Sequence, residues 1–495
     1  MPQGQEAGGP VQGQEAGGPA LGADTGSAAG SATGSAAVRR YVAANSESLL
    51  RTLLDYVAQP SVSTTGEGVA EAAERGAGLM RAAGLTAEIL PTPGSPLVIG
   101  SAPGRRDSPR VMIYGHYDVQ PPGPLDEWRS PPFRPEVRDG RVYGRGTGDN
   151  KGQHLAHLLA LRILTETTGG LPCPVTVVLD GEEEVGSPHF GWAADRYRDR
   201  FGADLVLWSD GPVHDSGQAA VVLGVRGILT FELRVRGARY PVHSGNWGGV
   251  APNPAWRLVE VLSALRDPAT GRALVEGFYD DVRPFTPQER QVLDDIPGDL
   301  AAALAELGAQ APEPPADRAL YERLAAWPTF TINSLSCEDA GEHRTVIPSV
   351  AVARCDVRLV DDQRSDRVAD LFRAHLARVA PDAEFVAGRA MEPSRTPLGS
   401  PYLGAIRSGA AEGLGEEPLL LPALGGSLPI HVFTGQLGLP CYGVPFANVD
   451  EANHAPNENL ELDRFYSGIT ASAAILTRLA ADPAAGTEAK AGGTA

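Results

Sequence analysis

A chain of 495 residues is longer than one hydrophobic core usually holds, and its 42% hydrophobic content excludes disorder of the whole and suits two folded domains. The net charge of −19 argues against nucleic acid and anionic membranes, whose binding rests on clustered Lys and Arg. No apolar run approaches the ~20 residues that span a bilayer, no secretory signal is legible, and four scattered cysteines (Cys173, Cys337, Cys355, Cys441) without a C-x-x-C pair suit reduced thiols in the cytoplasm.

Residues 1–37 come first. "PQGQEAGGP" is followed at once by "VQGQEAGGP" and then by a Gly/Ala/Ser run. Such composition buries too little apolar surface to offset chain entropy, so a flexible tail is expected here and again over 482–495. Helical spacing in "VRRYVAANSESLLRTLLDYVAQPSV" marks ordered structure from Val38. Over 38–223 the apolar strands "RVMIYGHYDVQPP", "PVTVVLDGEEE" and "ADLVLWSDGP" each end in polar or acidic residues, and "NKGQHLAHLLALRILTET" is a helix between the first two. Strands alternating with helices predict an α/β fold with a largely parallel sheet, helices on both faces, and ligands at the carboxyl ends of the strands. From 224 to 392 the pattern changes: "GILTFELRVRG" and "AVARCDVRLV" alternate in period two, followed by a helix, "SDRVADLFRAHLARVA", and a short strand, "AEFVAG". This reads as a separate α+β unit, within which the Pro-rich, acidic "DIPGDLAAALAELGAQAPEPPADRAL" reads as a surface excursion. Over 393–481 the loops "PALGGSLPI" and "NVDEANHAPNENL" flank another apolar strand, so the α+β unit is expected to be an insertion in the first domain.

The acidic strand ends carry the chemistry. His116 and Asp118 in "GHYDVQP" lie two apart and point the same way, so the carboxylate can hold the imidazole. Asp149 precedes a helix, Glu183 and Glu184 follow a strand, Asp210 follows "VLWS", and His454 lies in "DEANHAPNE". Singly, each has a plainer reading: a hydrogen-bonded pair, a helix cap, a solvated acidic face, a turn or a loop histidine. Together, His116, Asp149, Glu184, Asp210 and His454 are five ligands suited to divalent zinc, cobalt or manganese, enough for two ions ~3.5–4 Å apart if one carboxylate bridges. Of two adjacent glutamates one can ligate while the other stays free as a general base.

In their order, "GHYDVQP", "GRGTGDNKG", "DGEEEVGS", "SDG", "HSGNWGG" and "NHAPNE" closely resemble the co-catalytic zinc dipeptidase family that includes carnosinase and cytosolic non-specific dipeptidase. Acetylornithine deacetylase, succinyl-diaminopimelate desuccinylase and aminoacylase are more distant relatives. The resemblance implies that Asp149 bridges two metals, that Glu184 and His454 complete one site and His116 and Asp210 the other, that Asp118 orients His116, and that Glu183 is the general base. It further implies a cis peptide bond after Asp149 and an inserted lid that forms a homodimer. From the lid, His243 would reach the partner subunit's site and bind the oxyanion. Arg358, thirteen residues after Thr345, would bind the substrate's terminal carboxylate together with Ser427.

The expected activity is therefore hydrolysis of dipeptides or very short peptides by a water bridging two divalent metals. An N-acyl-amino-acid amidohydrolase needs the same metals and base and stays open as the alternative. A non-enzymatic binding protein on the same scaffold is disfavoured because every ligand position and the base are intact.

Overall fold

The structure, a computed structural model, describes residues 25–315, 318–338 and 344–482. The doubled nine-residue segment and the end of the chain from 483 lie outside these described residues. Helix α1 (Thr25–Val57) takes in residues 25–37, which the sequence reading assigned to the tail. Alanine is the best helix former, and extending an existing helix costs far less than nucleating one. Ser35 is buried and its hydroxyl donates to the Glu412 carboxylate, while Arg39 Nη2 donates to the Glu412 carbonyl at 2.7 Å.

After α2 (Val69–Ala82) come strands β1 (Glu88–Leu90), β2 (Leu97–Ala102) and β3 (Val111–His116). Helix α3 (Lys151–Thr168) then leads to β4 (Val175–Asp180), β5 (Leu205–Trp208) and β6 (Ala220–Val222). Every residue of β3 and β5 is buried. Their alternation explains why: Ile113, Val177 and Leu207 face the apolar sides of α1 and α3, whereas Met112, Val178 and Trp208 face Phe190 and Phe433 on the opposite side. A strand with both faces covered reads as a continuous apolar run, and that is its sequence signature.

The next segment builds a second sheet. It comprises β7 (Gly227–Arg236), β8 (Val242–His243), helix α4 (Pro254–Leu265), β9 (Thr329–Glu338), β10 (Val346–Ile347), β11 (Val350–Leu359), helix α5 (Ser365–Val379) and β12 (Ala383–Met391). The antiparallel order is β9-β11-β7-β12, with β8 and β10 paired separately. Along β7 burial alternates strictly, and Leu229, Phe231, Leu233 and Val235 meet α4 and α5 in their own core. The acidic excursion departs from its expected role as a simple surface loop. Within it Asp299 caps the helix Leu300–Glu306, accepting from Ala301 N and Ala302 N at 2.8 and 3.2 Å, and Ile296 is buried in the Phe190–Phe433 cluster of the first sheet. Just before the excursion, Thr286 and Glu289 form a reciprocal capping box that starts the helix Pro287–Asp294.

The chain then returns through α6 (Leu403–Leu414), β13 (Leu419–Leu421), β14 (Cys441–Gly443) and α7 (Leu462–Ala481). These complete an eight-stranded sheet of order β1-β2-β4-β3-β5-β14-β6-β13. It is parallel through β4, β3, β5 and β14 and between β6 and β13, and antiparallel where β1, β2 and β4 meet and between β14 and β6. The fold is thus mixed α/β with a mostly parallel central sheet. Gly224–Val225 and Ser394–Arg395, on the way into and out of the second sheet, pair with each other, so all strands of that sheet lie between β6 and β13 in the chain.

Helices α6 and α7 approach closely because α6 offers glycines: a Cβ on Gly413 would lie 2.0 Å from the Ala471 Cα. Gly413→Ala gains about 1 kcal/mol of helix propensity, but overpacking against backbone costs about 1–3 kcal/mol and should win. We expect a lower denaturant midpoint at unchanged slope; equal or greater stability would show that the helices have room to part.

Candidate metal centre

The parallel strands β3, β4 and β5 lie side by side, so their carboxyl ends open on one edge. His116 ends β3, the turn Glu183–Val185 follows β4, and Asp210 follows β5. Asp149 arrives from the loop before α3 and His454 from the loop before α7. Each comes from a different part of the chain.

His116 is wholly buried, with Nε2 at 3.0 Å from Asp149 Oδ1 and 3.5 Å from Asp210 Oδ2. The other oxygen of Asp149 lies 3.0 Å from His454 Nε2, which is itself 3.2 Å from Glu184 Oε2. Two triads therefore share Asp149: His116, Asp149 and Asp210, and Asp149, Glu184 and His454, with the ligand atoms of each within 4.8 Å of one another. The donor set fits a pair of divalent ions. His116 Nε2 adds an independent sign, being a buried nitrogen without a hydrogen-bond partner although two carboxylates stand beside it. The Asp149–Asn150 peptide bond is cis.

The charges show what the cluster lacks. Burial pushes the Glu183 carboxyl well above the usual range, His116 offsets part of this, and Asp210, Glu184 and Asp149 add to it. Burial and Asp149 likewise push Glu184 up to about 6. Burial acts on Asp149 in the same direction, but His116 and His454 outweigh it and hold this carboxylate below its ordinary range. Hydrogen bonds to Asp149 and Glu184 in turn push His454 up to about 10. Protons stand in for positive charge that these carboxylates require, and a cation bound between them would relieve the same repulsion.

The supports go beyond the sequence reading. His116 Nδ1 hydrogen-bonds the Asp118 backbone carbonyl at 3.0 Å with the Asp118 carboxylate 3.4 Å away, and that carboxylate accepts the backbone N–H of both Glu183 and Glu184 at 3.1 Å, so Asp118 positions the imidazole and the glutamates together. Gln120 donates from its backbone and side chain to the two oxygens of Glu184, at 3.1 and 2.9 Å. Glu458, fully buried, accepts N–H groups from Gly146 and Gly148 at 3.0 Å and Asp149 at 3.1 Å, and pairs with Arg145 Nη1 at 2.7 Å. That one carboxylate fixes the loop presenting Asp149. Sequence inspection gave Glu458 and Gln120 no role; the only available signal for Glu458 was an acid four residues after His454, and its backbone partners lie about three hundred residues earlier.

The remaining expected residues fall into two other groups. Arg358 Nη1 donates to Ser427 Oγ at 3.0 Å, joining β11 to the loop after β13. His243 ends β8 and Thr345 immediately precedes its partner β10: Ser244 donates its backbone N–H to the Thr345 carbonyl at 2.9 Å, and His243 is exposed, its Nδ1 accepting from Gly245 N at 3.0 Å. Among the described residues, none of the hydrogen bonds of His243 reaches the two triads. His154 and His157, given no site role, are buried packing groups hydrogen-bonded to Tyr56 and Ser209.

Comparison with known proteins gives a consistent picture. The profile of peptidase family M20/M25/M40 matches residues 112–478. A beta-Ala-His dipeptidase of Rattus norvegicus is 28% identical over 403 residues, covering 79% of this chain and 80% of that protein. A cysteinylglycine-S-conjugate dipeptidase of Corynebacterium striatum is 29% identical over 385 residues, covering 74% of this chain and 80% of its own. The crystal structure of an M20 family metallo-carboxypeptidase from Sulfolobus solfataricus is 31% identical with a TM-score of 0.82, covering 87% of this chain and 99% of that one.

The Glu458–Arg145 pair offers a direct test of the brace. Glu458→Gln leaves the buried Arg145 without a counter-charge, which should cost about 3–5 kcal/mol, and loosens the loop of Asp149, which should weaken metal binding about 10- to 100-fold. Thermal melts and metal titration check both; a variant as stable and as tight-binding as the wild type would remove Glu458 from this role.

Proposed function

The chain belongs to peptidase family M20/M25/M40, and from that premise we propose that it is a dinuclear metal-dependent dipeptidase. The observation that carries the reading is the shared Asp149, whose two oxygens each lie 3.0 Å from a different imidazole. In this reading Asp149 bridges, Glu184 and His454 hold one ion, His116 and Asp210 hold the other, and Asp118 orients His116. Zinc is the proposed metal, with manganese or cobalt as substitutes. Bound there, the ions supply the charge that acidifies a water and polarises the scissile carbonyl.

The chain's own residues do the rest. Glu183 takes the proton of the attacking water and returns it to the leaving amine; it lies beside the triads without belonging to either. Because Nδ1 of His243 accepts from a backbone N–H, its proton sits on Nε2, leaving that edge ready to donate to the carbonyl oxygen as negative charge develops. Arg358 and Ser427, with Thr345 at the lid, receive the terminal carboxylate and limit the substrate to short peptides. His243 would act in the partner subunit of a homodimer. The exposed Trp247, Val250 and Trp256 near it supply apolar surface for such a contact. Free cysteines support a cytoplasmic setting.

A second reading, exopeptidase action on longer chains, is favoured by the Sulfolobus metallo-carboxypeptidase. A panel of dipeptides, longer peptides and N-acetyl or N-succinyl amino acids, assayed for released amino acid, separates the readings. Dipeptides should be hydrolysed fastest, with activity lost to a chelator and restored by a divalent ion. Equal rates on long peptides would favour the carboxypeptidase, and preference for N-acyl substrates the amidohydrolase.

Glu183→Gln should keep its metal and lose about 10²–10⁴-fold or more in kcat; loss of metal would instead exchange the roles of Glu183 and Glu184. Mixed with the inactive His243→Ala variant under conditions that exchange subunits, it should regain about a quarter of wild-type activity, since half the dimers then hold one complete site. Proven exchange without recovery would place His243 on its own subunit's site or on none.

A further inference from the structure

The central sheet and the inserted sheet meet at a second cluster of charge, and there the sequence reading passed over Arg226. It is the last residue before β7. Ile228 lies directly opposite Arg358 in the β7–β11 ladder and Thr230 opposite Asp356, while Leu229, Val357 and Leu359 point into the core under the helices. By the two-residue period of a strand, Arg226, Arg358 and Asp356 share the face turned away from that core, with Arg226 and Arg358 as diagonal neighbours about 7–8 Å apart at the backbone.

Both arginines dock on one Gly-Gly-Ser loop of the central-sheet unit. Arg226 N donates to Leu424 O at 3.1 Å and its Nε to Gly425 O at 3.0 Å, two residues before Ser427, the acceptor of Arg358. Gly425 makes room for this: a Cβ there would come within 3.3 Å of Arg226 Nη2. Arg226 is only 8% exposed, yet among the described residues its terminal nitrogens have no hydrogen-bond acceptor. Burial and the like charge of Arg358 push its pKa down to about 10, with Asp356 opposing. Asp356 itself lies 3.7 Å from Arg358 Nε. Two guanidinium groups against one carboxylate leave one positive charge unmatched, with Arg226 buried and the Arg358 side chain 30% exposed. That remainder suits a monoanion with planar, bidentate geometry.

We infer that Arg226 is a second substrate-binding arginine, sharing with Arg358 the terminal carboxylate of the peptide. The inference rests on the reading of Arg358 and Ser427 as the carboxylate pocket. The competing explanation is that Arg226 only braces the Gly425–Ser427 loop.

Kinetics on a dipeptide and on its C-terminal amide, with wild type, Arg226→Gln, Arg226→Lys and Arg358→Gln, distinguish them. Arg226→Gln should raise KM for the acid roughly 10- to 100-fold, as for a lost charge-assisted hydrogen bond, with kcat less affected and the amide's kcat/KM within about twofold of wild type. Equal losses on acid and amide mean a brace and overturn the inference. Should Arg226→Gln fail to fold, Arg226→Lys decides: a point charge without the fork should weaken the preference for the acid, and an unchanged preference overturns the inference. Arg358→Gln separates the two levels. Acid preference lost there but kept in Arg226→Gln sinks Arg226 alone, whereas preference kept in both variants rejects the carboxylate pocket itself, and Arg226 with it.

Discussion

The mutual repulsion of carboxylates at one edge of a buried sheet is the constraint around which this structure is organised. Asp149, Glu183, Glu184 and Asp210 converge where water is largely excluded, an arrangement that costs free energy unless positive charge is supplied. Two imidazoles supply part of it. The unsatisfied Nε2 of His116 and the sharing of Asp149 between two triads show that the arrangement is built for more than protons.

A cluster so unfavourable has to be held by groups that are themselves satisfied. The Asp118 carboxylate takes the backbone N–H groups of the two glutamates, Gln120 fixes Glu184, and Glu458 gathers the N–H groups of the Asp149 loop while paired with Arg145. These are hydrogen bonds to charged acceptors in low dielectric, where they are strongest and where losing one partner is most costly. The rigidity needed to place ligands within tenths of an ångström comes from this outer ring and from the fully buried strands beneath it.

The inserted sheet is built by different rules. Along β7 burial alternates because helices cover one face, which leaves the opposite face free to carry charge, whereas β11 is buried at nearly every position. At its end near the Gly425–Ser427 loop this face presents Arg226 and Arg358. Both hydrogen-bond to that loop, so two charged side chains of the inserted segment join it to the central-sheet unit.

Much was legible from the residues. Continuous apolar runs ending in acids gave the parallel core and the edge where the site lies, and period two from Gly227 onward marked the inserted unit, because strand burial prints directly onto local pattern. Most members of the two triads were legible for the same reason, since His116, Glu184 and Asp210 lie at or just after strand ends and Asp149 just before a helix, whereas His454 lies in a loop. The sequence could not specify which distant groups complete the site. Glu458 lies about three hundred residues from the loop it braces, Arg226 meets Gly425 across the join of two units, and the Ala/Ser run at 25–37 is helical where it docks on Glu412. Local pattern records which face of an element is buried, because that depends on a residue's own side chain and near neighbours; which buried charge answers which is decided only when the chain closes, because hydrogen bonds and ion pairs act over a few ångströms of space whatever the separation in sequence.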